Sequence, residues 1–430
     1  MPDDANTSSV VKAKADDAVR YWMEEGWSPG GHVRQVDYAA NSRGVDPLFA
    51  GIKIVDCDTH FTEPPDLFTS NAPAGLKDRM PQVRRVDGID YWFIGDKNFG
   101  SLGGNVIAKD HNKLLGRLAY RTYDDIDPGS YLVKPRLQAM DDMGVHAQIC
   151  FQNGGVTQAG SLVALNDPKL ALTVMQMYND ACADRIKESG ERIFCMASLP
   201  YWDKDALVKE TRRIIDAGVR GVVMPDRPER LSSGYIGDDG RVSPFWEEFF
   251  DICSATGTPL NFHLNSALDA NTAIWDGLGF DQRLPIHAML HHMGCCATFA
   301  NFMVSGLLDK YPKLKIGLIE SGSGWVPFVL EAMEHQIDEF RTAENRGLKR
   351  RPKEYFQQFW VSYWFESFAP KHMLEAIGVD RVMFETDYPH PTSLYPGVQD
   401  KLAETLGGHD YATRKRVLQD NAVELYNLPA

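Results

Sequence analysis

The sequence predicts an α/β protein built on a single large (β/α)8 (TIM) barrel, with an N-terminal extension and a long loop insertion after strand one. Three observations carry this expectation. From Ile52 onward, eight short apolar runs alternate with helical segments, the pattern of parallel strands buried on both faces. The first run leads into DCDTHFTEPP, which lacks the glycine-rich phosphate loop that normally follows the first strand of an open doubly wound sheet. The 430 residues are 43% hydrophobic and 24% charged, enough core material for a barrel of this size as one domain.

Residues 1–50 read as an appendage. Val11, Ala15, Val19 and Trp22 fall at helical spacing behind a serine cap, and a Gly/Pro-rich stretch follows. The barrel is expected over 51–430. Its strand runs lie at 52–58, 145–151, 192–199, 219–225, 258–263, 314–320, 359–364 and 381–386. Helices are expected at 135–144, 168–190, 203–218, 243–257, 287–311, 324–341, 369–378, 396–408 and 410–428. Several of them end in Gly just before the next strand, as a left-handed C-cap requires. Between the first two strands lies a segment from about 67 to 131, containing GDKNFGSLGGN. Its length suits a lid or binding element.

With 45 basic and 59 acidic residues the net charge is −14, which disfavours nucleic acid or an anionic membrane surface as partner. The N-terminus has no apolar signal region, and no run is long enough to span a bilayer. Seven scattered cysteines without a C-x-x-C pair read as buried free thiols. Together these features favour a cytoplasmic compartment.

The strand ends carry the chemistry. In such a barrel the strand C-termini converge on one face. Strand one delivers Asp58 and His60, two apart and so on one side. Strand five ends in His263, strand six in Glu320, and strand eight in Glu385 and Asp387, with His390 just beyond. Imidazoles and carboxylates are the ligands that zinc, iron and manganese take. Four strand ends delivering them point to a bound divalent metal, one ion or two. His287 and His291, four apart on one helical face, fit packing or a subunit contact.

The segments DCDTHFTEP, NFH, LIESGSGWVPFVLEAMEH and FETDYPHP resemble the signatures of the amidohydrolase-related family of metal-dependent barrel enzymes, over about residue 52 to the C-terminus. The resemblance implies metal ligands at Asp58, His60, His263 and Asp387. It leaves Glu63 as a group that reaches a ligand or the metal. Relatives often carry a histidine at the end of strand six, where this chain has Glu320. Two readings of Glu320 stand: a ligand that bridges two cations, or an acceptor for the amides of the SGSGW turn.

The leading functional expectation is hydrolysis of an amide, ester or lactone of a small organic substrate, with Asp387 as proton shuttle and Glu320 assisting. Non-oxidative decarboxylation of an aromatic acid is one alternative. A dinuclear iron or manganese oxygenase of the amine N-hydroxylase type is another. A non-catalytic barrel subunit is the third. The expected assembly is a homo-oligomer or a complex with a homologous barrel subunit.

Overall fold

The structure is a computed structural model, and it describes residues 32–34, 36–101, 106–115, 122–264, 274–340 and 348–429. The helix expected near Val11–Trp22 lies outside these residues.

All eight expected runs form strands: β1 (Val55–Phe61), β2 (Ala147–Gln152), β3 (Ile193–Cys195), β4 (Val222–Val223), β5 (Leu260–His263), β6 (Ile316–Ile319), β7 (Phe359–Tyr363) and β8 (Val382–Phe384). They pair in parallel as a three-stranded sheet, β1-β2-β3, and a five-stranded sheet, β4-β5-β6-β7-β8. Single parallel bridges join the two at both seams, Ala197 with Val222 and Thr59 with Tyr388. The strand order thus runs round a ring in chain order, which is the (β/α)8 arrangement.

The crossovers are α1 (Val133–Met143), α2 (Pro168–Glu188), α3 (Lys204–Asp216), α4 (Glu247–Thr256), α5 (Phe280–Val304) and α6 (Val326–Glu339), with two short helices, Phe368–His372 and Leu374–Ile377, between β7 and β8, and α7 (Val398–Leu406) follows β8. Asp167 and Asp203 cap α2 and α3 by accepting from Leu170 and Ala206 N–H. Gly144 and Gly257 take left-handed C-caps at φ 71° and 69°. Helix α5 starts seven residues earlier than expected and runs through Pro285. No helix among the described residues is long and apolar enough to cross a membrane.

Inside the ring, Val55, Cys57, Ile149, Phe151, Phe194, Ile319, Trp360 and Met383 form a core that Leu425, Tyr426 and Leu428 close from the chain's C-terminal end. Outside, a larger apolar cluster glues helices to strands. The long segment after β1 is not structureless. Gln82–Val86, Ile89–Ile94 and Lys97–Ser101 form an antiparallel meander, whose Trp92 and Ile94 are buried. Residues 102–105 of the glycine-rich stretch lie outside the described residues.

One buried guanidinium ties this framework together below the strand ends. Arg136 on α1 donates to the carbonyls of Gly129 (2.6 Å) and His60 and to Gln148 Oε1 (3.1 Å), and its guanidinium lies 4.4 Å over the Tyr388 ring. Arg136→Met keeps the bulk but orphans three buried acceptors, each costing about 1–3 kcal/mol. The expected outcome is a loss of about 3 kcal/mol or more, read from the urea midpoint at unchanged slope. A loss below about 0.5 kcal/mol, as for ordinary surface changes, would mean that other donors serve those acceptors.

Candidate metal centre

The strand ends meet where the sequence placed them. His263 Nε2 lies 3.2 Å from Asp58 Oδ1 and 3.4 Å from Glu320 Oε2. His60 Nε2 lies 3.8 Å from Asp58 Oδ1 and 3.5 Å from Asp387 Oδ1. The two imidazoles meet edge-on with ring centroids 4.8 Å apart. One donor atom from each of Asp58, His60, His263 and Glu320 lies within 4.8 Å of the others, and the same holds for His60, Asp387 and His390.

These donors converge on one space. Both Asp58 oxygens, His60 Nε2, His263 Nε2 and Glu320 Oε2 are buried without a hydrogen-bond partner among the described residues. Burial, with Asp387 close by, pushes the Asp58 and Glu320 carboxyls well above the usual range. Burial, abetted by neighbouring imidazoles, pushes His60 down to about 3; burial takes His263 to about 4. Both rings are therefore neutral and offer lone pairs. Native proteins pair their buried polar atoms, so neutral imidazoles and repelling carboxylates that converge unpaired fit a divalent cation.

The supporting residues fix which atoms face inward. His60 Nδ1 lies 3.1 Å from the Gln152 carbonyl, so its proton sits there and Nε2 is the free nitrogen. Asp56, behind the site, accepts from Thr386 N–H (2.8 Å), Thr386 Oγ1 (2.6 Å) and Gln148 Nε2 (3.1 Å). A register shift between Asp56 and Thr59 marks a bulge in β1 at this point. Leu264, Glu320 and Asp387, at or just past strand ends, have φ of 42°, 55° and 62°. Each such left-handed residue costs about 1–3 kcal/mol, a strain concentrated at the site.

Glu320 does not cap the SGSGW turn. Glu366, from beyond β7, accepts from Ser323 and Gly324 N–H at 2.8 and 2.9 Å instead. The Glu320 backbone is held separately: its N–H faces Glu385 Oε2 and Ser362 Oγ, both at 3.2 Å, and its carbonyl accepts from His292 Nδ1 at 2.9 Å. Its side chain is thereby left to the cluster.

Glu63 turns away from the cluster, accepting from Gly154 N–H (3.0 Å) and Thr157 Oγ1 (2.9 Å), and so pins the loop after β2. His287 and His291 sit ring to ring, 4.1 Å apart, outside both donor groups. His390 is brought in: its ring stacks on His60 at 4.0 Å, with Nδ1 2.7 Å from Asp387 Oδ1 and Nε2 3.1 Å from Asn153 Oδ1. Burial alone would raise Asp387, but His390 and His60 beside it hold it below the usual carboxylate range. Sequence reasoning missed Asn153 and His292. Asn153 was findable as a polar residue just past the second strand run; His292 had no such signal.

The amidohydrolase family model matches residues 55–428. The chain belongs to the amidohydrolase family. Among the relatives of this amidohydrolase-family chain, a gamma-resorcylate decarboxylase from Polaromonas is 27% identical over 268 residues, which span 59% of this chain and 76% of that one. A 2-amino-3-carboxymuconate-6-semialdehyde decarboxylase from Dictyostelium discoideum is 27% identical over 271 residues, 61% of this chain and 68% of that one. The solved structure of an amidohydrolase from Mycobacterium avium subsp. paratuberculosis shares the fold at a TM-score of 0.66 and 20% identity, covering 87% of this chain and 99% of that one.

Replacing His263 by Ala removes one neutral nitrogen donor and little core packing. Elemental analysis of protein purified without added metal should find the metal content sharply reduced, at an unchanged circular dichroism spectrum. Wild-type stoichiometry in the variant would make His263 a pocket wall and nothing more.

Proposed function

We propose that this chain is a metal-dependent, non-oxidative decarboxylase of an aromatic or similarly unsaturated carboxylic acid. The motifs alone pointed first to hydrolysis. The decarboxylase relatives favour the other reaction, and one feature of the site supports it: a proton held between His390 and Asp387.

That proton follows from the hydrogen bonds. Asn153 Nδ2 donates to Thr62 Oγ1 at 2.8 Å, which leaves Asn153 Oδ1 as the acceptor facing His390 Nε2. His390 Nε2 therefore carries a hydrogen. Asp387 Oδ1 meets no donor at hydrogen-bond geometry among the described residues, but a bare Nδ1 lone pair 2.7 Å from it would be repulsive, so we place a second proton on His390 Nδ1, which makes the two an ion pair. Decarboxylation needs such a group. When the carboxylate leaves as CO2, its bonding electron pair stays on the ring carbon, and one proton has to arrive there. His390 Nδ1 holds that proton at rest and supplies it to the ring carbon by way of Asp387 Oδ1.

A divalent cation held by Asp58, His60, His263 and Asp387, with Glu320 as a further donor, would supply Lewis-acid charge that orients the substrate and stabilises negative charge on it. Asp58 and His60 fix the donor geometry from β1, and His263 from β5. The strand-six histidine common in relatives is absent, and His390 takes over its acid-base work from the far side of the site.

A second reading rests on the number of carboxylates. Asp58, Glu320, Glu385 and Asp387 are all buried at the strand ends, and the two donor groups share His60. Such a set suits a pair of hard cations and oxidative chemistry. Two iron or manganese equivalents per chain, with oxygen consumption in place of CO2 release, would select it.

The metal-loaded protein should release CO2 from gamma-resorcylate or another aromatic acid in a panel. His390→Asn should lower kcat by about 10²-fold or more while the metal content holds, because the variant loses the proton donor and spares the β1 and β5 donors. An unchanged kcat would remove His390 from the proton path. A panel without CO2 release would end the decarboxylase reading.

A further inference from the structure

We propose that Trp364 and His292 form a hydroxyl-reading pair at the mouth of the site, and that the substrate therefore carries a hydroxyl group remote from its reacting carboxylate. The inference rests on the decarboxylase reading and adds a specificity element to it.

The first observation is the direction of Trp364. Along β7, Trp360 packs in the inner core and Ser362 Oγ faces the Glu320 N–H, so these alternate residues point into the barrel. Trp364, two further on and just past the strand end, continues that face towards the mouth. The residue is 5% exposed, and its Nε1–H is buried with no hydrogen-bond partner among the described residues. A buried donor left unpaired is costly, and a ligand oxygen would relieve it.

The second observation is the tautomer of His292. Its ring lies 6.1 Å from that of Trp364, at 67°. Nδ1 donates to the Glu320 carbonyl, a group that can only accept, so the Nδ1 proton is fixed there. In the neutral ring Nε2 then offers a lone pair and no hydrogen. Phe365, 5.1 Å from Trp364 and 5.7 Å from His292, adds an apolar wall to both rings.

An unpaired N–H donor on one ring and a nitrogen lone pair on a ring 6.1 Å away can together complement a hydroxyl held between them. The hydroxyl oxygen accepts from Trp364 Nε1, and its hydrogen goes to His292 Nε2. A carboxylate or ether oxygen satisfies only the first contact, and an amine hydrogen only the second. Because His292 hangs on Glu320, this pair is anchored to the donor cluster through one peptide group. A substrate whose carboxylate faces Asp58, His60 and His263 thus meets the pair with another part of its ring. Sites that hydrogen-bond a substrate hydroxyl reject the analogue lacking it, because their polar groups are left unpaired.

Calorimetric binding of para-hydroxybenzoate, para-methoxybenzoate and benzoate to the full-length, metal-loaded protein tests the pair. The expected result is tighter binding of the hydroxy acid than of benzoate by about tenfold or more, the size of one net hydrogen bond, with the methoxy acid between them. Trp364→Phe keeps the apolar ring and removes the N–H. His292→Asn keeps a donor for the Glu320 carbonyl and removes Nε2. Each variant should bring the hydroxy-to-benzoate ratio close to one at unchanged benzoate affinity and metal content. The proposal is overturned if the wild type shows no preference or binds none of the three. It is equally overturned if a folded variant keeps the wild-type ratio, and should one variant fail to fold, the other's ratio decides. CO2 release from the same mixtures is scored separately. Discrimination without CO2 release would sink the decarboxylase reading alone, and CO2 release without discrimination would sink the pair alone.

Discussion

Asp56 clasps the first barrel strand to the last. Its carboxylate accepts from both the backbone and the hydroxyl of Thr386, and Gln148 and Arg136 continue the chain of hydrogen bonds under the site. Residues 330 apart in sequence are thereby held side by side, with Asp58 and His60 on one strand facing Asp387 on the other. The clasp is fully buried, and burial lifts the Asp56 carboxyl to about 7 even with its hydrogen bonds acting to lower it. A group under that electrostatic penalty persists because both of its own oxygens meet donors. Loosening it would let the barrel seam open at the very place where the site needs the strands in register.

Above the clasp the same physics runs with the opposite sign. Asp58, Glu320 and Glu385 are buried close to one another, and each is pushed well above the usual carboxylate range by burial first and by its acidic neighbours second. Two neutral imidazoles direct lone pairs into the same space. Below, donors answer acceptors; here acceptors meet acceptors. A cluster of this kind is stable only with positive charge in it, and the left-handed backbone at Leu264, Glu320 and Asp387 is the strain the fold carries to aim these groups. Stability is given up locally where chemistry is placed, and the Arg136 and Glu63 anchors stiffen the surrounding loops against it.

Much of this was legible in the sequence for a simple reason. A parallel strand buried on both faces has to be apolar along its length, so the first polar residues after each run mark where it emerges at the C-terminal face. Asp58, His60, His263, Glu320 and Asp387 could be read that way, and the structure brings all five together. Glu63 could not, since two residues past a strand the chain has turned and parity no longer tells direction; it binds Gly154 and Thr157 in the next loop. The rival reading of Glu320 failed for a long-range reason: Glu366, 46 residues later, already occupies the amides of the SGSGW turn. The segment after β1 looked like an open loop because its strands are short and none of them joins the barrel sheets.

The sequence by itself determined the order of the eight strands and helices, the face on which the polar strand ends collect, and the residue types that make a divalent cation the fitting occupant. Those follow from local periodicity and from the rule that buried strands are apolar. Tertiary structure alone decided which lone pairs are free, because that depends on partners distant in sequence: the Gln152 carbonyl that takes the Nδ1 proton of His60, the Asn153 oxygen that faces Nε2 of His390, and the Glu320 carbonyl that holds His292. A hydrogen bond has a direction as well as a partner, and only folded geometry assigns both.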